Sequence, residues 1–216
     1  DNDTAGFTIE SISGNTTEAL GTATFKVKLN SQPTADVTIS VSSSDTGEGT
    51  VSSSSLTFTS ENWNANQTIT VTGVNDDLAD GNQSYSIILA AATSSDSDYN
   101  GLNPNDVSVI NTDNDTAGFT ISPISGDTGE DTTQATFSIK LNTQPNNNIV
   151  FNVSSSDENE GTVSPATLTF TDINWNVNQT VTITGVNDDQ IDGNQSYTVR
   201  LIINTGLTSD TTGYAD

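Results

Sequence analysis

The sequence predicts an all-β protein made of two tandem antiparallel sandwiches, the second without its last strand. Three observations predict it. The nonapeptide DNDTAGFTI at residues 1–9 recurs unchanged at 113–121, a period of 112 residues. Residues 50–85 and 162–197 are identical at 26 of 36 positions with no gap, which implies one structural unit per period. Within each period, short runs alternate apolar with polar residues and are separated by segments rich in Gly, Asn, Asp and Ser, the pattern of half-buried strands joined by turns.

The 216 residues fit two domains of about 100 residues each. Apolar residues make up only 31% of the chain, a level that leans towards disorder. The regular alternation overrides that leaning and favours a thin core between polar outer faces.

The strands can be assigned in order. Strand A is 7–12. Strand B is 22–29, with Ala23, Phe25, Val27 and Leu29 facing one way and Thr24, Lys26 and Lys28 the other. Strand C is 36–42, with Val37, Ile39 and Val41 inward. Strand D is 55–59 with Leu56 and Phe58, and strand E is 67–73 with Ile69 and Val71. Strand F is 83–90 with Tyr85, Ile87 and Leu89, and strand G is 106–111 with Val107 and Val109. Seven short strands with such turns read as an immunoglobulin-like sandwich. The second copy repeats the inward pattern through strand F, at Phe137, Ile139 and Leu141, Ile149, Phe151 and Val153, Leu168 and Phe170, Val181 and Ile183, and Tyr197, Val199 and Leu201.

The expected organisation is a tail of a preceding repeat at 1–3, a first repeat at 4–115 and a second at 116–216. The second copy has no counterpart of 106–111 or of the closing Asp-Asn-Asp. Two explanations are open: an excerpt from a longer array, or a protomer whose groove receives a strand from a neighbour.

The formal charge is −24, from 28 acids against four bases. Phosphate binding needs Lys and Arg, so nucleic acid is not an expected partner, and neither is an anionic membrane surface. No run of apolar residues is long enough for a membrane-spanning helix. With no Cys and no His, disulfides, the usual Zn sites and His-based catalysis are excluded. No nucleophile elbow or phosphate loop is visible, so no enzymatic activity is expected. The acidity either keeps an exported protein soluble or binds a hard divalent cation.

Topology bears on that choice. Consecutive antiparallel strands reverse direction, so connections A–B, C–D and E–F share one end of the sandwich, and strand G ends there too. A–B carries Glu18; C–D carries Asp45 and Glu48; E–F carries Asp76, Asp77 and Asp80; the exit from G carries Asp113 and Asp115. Like charges this close are destabilising unless protons or cations compensate. Carboxylates with Asn and backbone carbonyls form an oxygen-rich shell suited to Ca²⁺. Asp also simply favours turns, and the repetition at Glu130, Asp157, Asp188, Asp189 and Asp192 adds no independent support after a duplication.

The chain resembles the Calx-beta family. The resemblance is carried by TFKVKL at 24–29, LTFTSENWNANQTITVTGVNDDLADGNQSY at 56–85 and VSVINTDND at 107–115. It implies a seven-stranded sandwich and Ca²⁺ bound at one pole through a Glu in A–B, an Asp in C–D, the acidic E–F segment and the terminal triplet. Those roles would fall on Glu18, Asp45, Asp76, Asp77, Asp80, Asp113 and Asp115, and in the second copy on Glu130, Asp157, Asp188, Asp189 and Asp192. The sequence departs from the pattern at Asn75 and Asn187, which replace the first acid of the E–F triplet, at Gln83 and Gln195, which replace a late Glu, and at Asn114 within the closing triplet. Fewer charges imply fewer or weaker ions.

The expected function is a calcium-binding structural repeat of an extracellular bacterial surface protein, an adhesin stalk or matrix component, with the ion stiffening the joint between repeats. Its partners would be neighbouring repeats or identical protomers. An alternative is a filament protomer joined by strand complementation and calcium bridging. A third is a carbohydrate-binding module using Trp63 and Trp175 on a glycan, although each Trp is better placed to cover an open end of the core.

Overall fold

The computed structural model describes residues 3–187, 189–191, 193–208, 210 and 213–214. Among them there are strands and no helices. Two compact units are formed, 1–76 with 81–114, and 77–80 with 115–216.

The first unit has ten strands: β1 (Phe7–Ile9), β2 (Thr16–Thr17), β3 (Thr22–Leu29), β4 (Val37–Ser43), β5 (Gly49–Val51), β6 (Ser55–Phe58), β7 (Gln67–Gly73), β8 (Gln83–Leu89), β9 (Thr93–Ser94) and β10 (Val107–Thr112). One sheet has the order β1-β3-β7-β5 and the other β2-β10-β8-β4-β6, with β9 also on β4. Seven of the ten, β1, β3, β4, β6, β7, β8 and β10, overlap the expected strands, and β2, β5 and β9 lie outside the expected bounds. After β1, which pairs with β3, the chain crosses to the other sheet as β2, which pairs with β10. It crosses again between β5, on β7, and β6, on β4. Beyond β8 it pairs once more with β4 as β9. Strands that switch sheets form the corners of a sandwich. Alternation over two or three residues is too short to reveal them.

Every inward residue expected on strands B to G is buried, from Ala23 to Val109. In β3 the outward Thr24, Lys26 and Lys28 stay half-buried. Each fully buried Leu, Ile, Val or Phe contributes about 1.5–3 kcal/mol. Trp63 packs half-buried against this core, and its carbonyl accepts the Leu29 amide at 2.9 Å.

Strand β10 sits between two partners. It pairs antiparallel with β8, Val107 opposite Ile87, Val109 opposite Tyr85 and Asn111 opposite Gln83. On its other edge it runs parallel to β2, Asn111 opposite Thr16.

The second unit contains β11 (Phe119–Ile121), β12 (Gln134–Leu141), β13 (Ile149–Ser155), β14 (Gly161–Ser164), β15 (Thr167–Phe170), β16 (Gln179–Gly185) and β17 (Val199–Ile203). Its sheets are β11-β12-β16-β14 and β15-β13-β17. The register repeats the first unit: Val153 faces Leu201 on β17 as Val41 faces Leu89 on β8. Among the described residues nothing corresponds to β2 or β10. Strand β17 begins only at Val199, although the counterpart of β8's first residue is Gln195. The four residues from 195 to 198 match four of the five residues of β8 that β10 pairs with. Where no β10 lies alongside, that stretch does not form a strand.

A second anchor, not foreseen from the sequence, lies at the opposite end of the first unit. Tyr99 is buried, and its hydroxyl accepts the Ser31 amide at 3.1 Å and donates to the Ser31 carbonyl at 2.7 Å. Nearby, the Asp96 carboxylate accepts the amides of Thr34 at 2.7 Å and Asp98 at 2.9 Å. The pair ties the F–G loop to the B–C loop. The second unit rebuilds it, with Tyr214 on Thr143 and Asp210 on the Asn146 amide.

The Thr34 amide, followed by that of Asp98, holds the Asp96 carboxyl below its usual pKa. A depressed folded-state pKa gives stability that is present above the unfolded value of about 3.9 and is lost as pH falls through the folded value. Asp96→Asn should therefore be less stable than the parent at neutral pH, with the gap closing as pH falls below about 4. Urea unfolding at a series of pH values measures it.

Candidate metal centre

The predicted acids are delivered by β2, β5, β8 and β10 and the turns around them. Glu18 follows β2 directly, and its amide donates to the Thr112 carbonyl at 3.1 Å. Its side chain is only 2% exposed, and Oε2 accepts the Asn114 amide at 3.1 Å. Asp113 Oδ2 accepts the Gly81 amide at 2.7 Å, while its own amide donates to Asn82 Oδ1 at 3.1 Å. Carboxylate oxygens of Glu18, Asp113 and Asp115 lie within 4.8 Å of one another. A second group with the same spacing joins Glu48, Asp76 and Asp80. Glu48 lies in the turn before β5, and its carbonyl accepts the Val74 amide at 3.0 Å.

Asn111 is the polar hub beside the second group. It is 1% exposed. Nδ2 donates to Glu48 Oε2 at 3.2 Å and to the Val74 carbonyl at 2.9 Å, and Oδ1 accepts from Thr16 Oγ1 at 3.0 Å. Thr16 in turn shares a 3.0 Å hydrogen bond with the Tyr85 hydroxyl. Burial pushes the Tyr85 hydroxyl pKa up; the Thr16 hydrogen bond opposes this and the Glu48 charge adds to it. The sequence held one signal for Asn111: it takes the inward position after Val107 and Val109, where an apolar residue is expected.

Several predicted ligands lie elsewhere. The Asp45 carboxylate accepts the Gly47 amide at 2.9 Å and holds the C–D turn. It belongs to neither group, and Glu48, three residues on, supplies that loop's carboxylate instead. Asp77 is exposed and joins neither group. In the second copy, Glu130, Asp157 and Asp189 are all exposed. Asp157 holds its turn through the Asn159 amide at 3.0 Å, and the Asp189 amide donates to Asn187 Oδ1 at 3.1 Å. No three-acid group forms there among the described residues; Asp188 and Asp192 lie outside them.

The donor set suits a hard cation. All six grouped side chains offer carboxylate oxygen, and Ca²⁺ takes oxygen ligands at about 2.3–2.6 Å. Two ligands of one ion are then at most about 5 Å apart, a limit the 4.8 Å spacing respects. The four basic residues sit in strands, Lys26 and Lys28 in β3, Lys140 in β12 and Arg200 in β17, and none in these loops.

The model of the Calx-beta domain matches residues 1–116. That is more than half of the chain, and the chain belongs to the Calx-beta family. Among solved structures, it is similar to CBD12 from CALX1.2, at 13% identity over 87% of this chain and 76% of that one, with a TM-score of 0.37. The calcium binding domain CBD12 of CALX1.1 matches at 10% identity over 90% and 74%, with a TM-score of 0.39. A protein of unknown function from Porphyromonas gingivalis W83 matches at 10% identity over 83% of each chain, with a TM-score of 0.37. No curated protein matches significantly. The family assignment rests on the domain model.

Asn111→Leu removes the partner of two acceptors and one donor in a buried place. It should cost about 1–3 kcal/mol, read as a lower urea midpoint for the first unit.

Proposed function

We propose that the chain is a calcium-binding structural repeat of an extracellular bacterial surface protein, and that the ion stiffens the joint between successive repeats. The observation that carries this reading is the convergence of buried Glu18 with Asp113 and Asp115. The A–B connection and the exit from β10 are 95 residues apart in sequence at the Glu18–Asp113 pair, yet their carboxylates share one small volume. Membership of the Calx-beta family supports the choice of ion.

The work of such a module is mechanical. An ion held by these carboxylates offsets repulsion in a chain of charge −24. It also fixes the segment leaving β10. Only Thr116, Ala117 and Gly118 separate Asp115 from Phe119, where β11 begins. Neighbouring repeats of the same chain, or identical protomers, are the partners this reading names.

A ligand that binds only the folded state raises stability by about 2.7 kcal/mol when it stands at roughly 100 times its Kd. Calcium should therefore raise the melting temperature, and chelator should reverse the rise and increase the spread of dimensions in solution scattering. Glu18→Gln and Glu48→Gln should each weaken calcium binding by about tenfold or more, whereas Asp45→Asn should leave it within about twofold of the parent. Calorimetric titration separates these outcomes. A melting temperature and scattering profile indifferent to calcium would remove the proposal.

A further inference from the structure

We infer that the side chains of Asn75 and Asn114, hydrogen-bonded to each other, take the place of a bridging cation between the two acid groups of the first unit. The groups are joined there without an ion. This rests on the calcium reading and deepens it, because it names two residues that limit how many ions the pole takes.

Each Asn is the one neutral side chain in an acidic run, Asn75 in Asn-Asp-Asp at 75–77 and Asn114 in Asp-Asn-Asp at 113–115. Each is also the second residue past its strand, since β7 ends at Gly73 and β10 at Thr112. The two positions are 39 residues apart, yet Asn114 Nδ2 donates to Asn75 Oδ1 at 3.3 Å. On either side the pair is tied to one acid group. The Asn114 amide donates to Glu18 Oε2 at 3.1 Å. Asn75 Nδ2 donates to the Asp76 carbonyl at 2.6 Å. Hydrogen bonds thus lead from Glu18 in one group, through the two asparagines, to Asp76 in the other.

The chemistry of the donors fixes how the amides face. A carbonyl only accepts, so Asn75 turns Nδ2 to Asp76 and leaves Oδ1 for Asn114, which must then present its own Nδ2. An amide carries a donor and an acceptor and no charge, so the pair closes by itself. Two carboxylates in the same places would meet with acceptors only. Like charges that close need a proton or a cation between them.

The spacing fits a cation. Two oxygen ligands of one Ca²⁺ stand at most about 5 Å apart, and the two amide groups touch at 3.3 Å. The Asp76 carbonyl, already bonded to Asn75, lies close enough to offer a third oxygen. Both asparagines are exposed, so an ion reaches the place directly from solvent. The choice of amide over acid at these two positions is therefore what keeps an ion out.

The test replaces both amides by acids in the intact 216-residue chain, as Asn75→Asp with Asn114→Asp. Equilibrium dialysis at saturating calcium should count one more ion in the double variant than in the parent. In chelator the double variant should melt below the parent, and calcium should restore it. Asn103→Asp with Asn105→Asp adds the same charge in the exposed F–G loop and should leave the count unchanged. An unchanged count in the double variant, an equal gain in the F–G loop control, or a double variant that stays unfolded in saturating calcium overturns the inference. A pair that only ordered its two loops would alter melting and not the count. A parent that binds no calcium removes the calcium reading, whereas the gain on going from amides to acids is judged against the parent and fails separately.

Discussion

The pairing of β10 between β8 and β2 is the constraint on which the rest of the first unit depends. A two-residue strand such as β2 has almost no stability of its own, and it exists because β10 offers it a parallel edge. The same strand extends β8 back to Gln83, covers Tyr85 and places Asn111 inside. Its exit then carries Asp113 past the loop after β7, where the Gly81 amide meets it, and Asn114 past Glu18. Among the described residues the second unit has no strand in that place. There the counterpart of β8 starts late, Glu130 is exposed where Glu18 is buried, and Thr128 lies in no strand.

The acids are gathered by topology and held by amides. A carboxylate 2% exposed costs stability unless hydrogen bonds or charge compensate. For Glu18 one compensation is the Asn114 amide, for Asp113 the Gly81 amide, and for Glu48 the Asn111 side chain. Neutral donors orient the oxygens and leave the negative charge in place. An arginine in the same position would have neutralised the charge, so the choice of donor keeps the pole attractive to a cation. The same economy explains why Asp45 and Asp157 drop out. Each spends its carboxylate on the amide two residues ahead in its own turn, a local bond that asks nothing of the rest of the fold.

Long-period features were legible in the sequence and short-period ones were not. Alternation over five to eight residues located the inward faces of β3, β4, β7 and β8 to the residue, because burial of one face and period two leave a single register. The short strands β2 and β5 were not visible, since they have no apolar alternation and owe their existence to a partner strand. At the pole, connection topology identified which loops meet. It could not separate Asp45 from Glu48, which lie in one loop three residues apart. Only the turn's hydrogen bonds decide which of the two points back towards Asp76. Asn111 and the Tyr99–Asp96 anchor escaped for a related reason: a single polar residue at the end of an apolar strand or within a loop has no periodicity to announce it.

Closure of the sheet and assembly of the acids are one event in this fold, because a single strand does both. β10 completes the barrier between core and solvent, and the three residues that follow it supply Asp113 and Asp115. The order of dependence runs from strand to ion. Without the strand, Glu18 would lose the Thr112 carbonyl that its amide bonds and the Asn114 amide that orients its carboxylate. An ion held by Glu18, Asp113 and Asp115 would, in contrast, meet only side chains that the strand has already placed. The nonapeptide DNDTAGFTI at 113–121 belongs to both steps: its acids finish one repeat, and its Phe-Thr-Ile is β11, the first strand of the next.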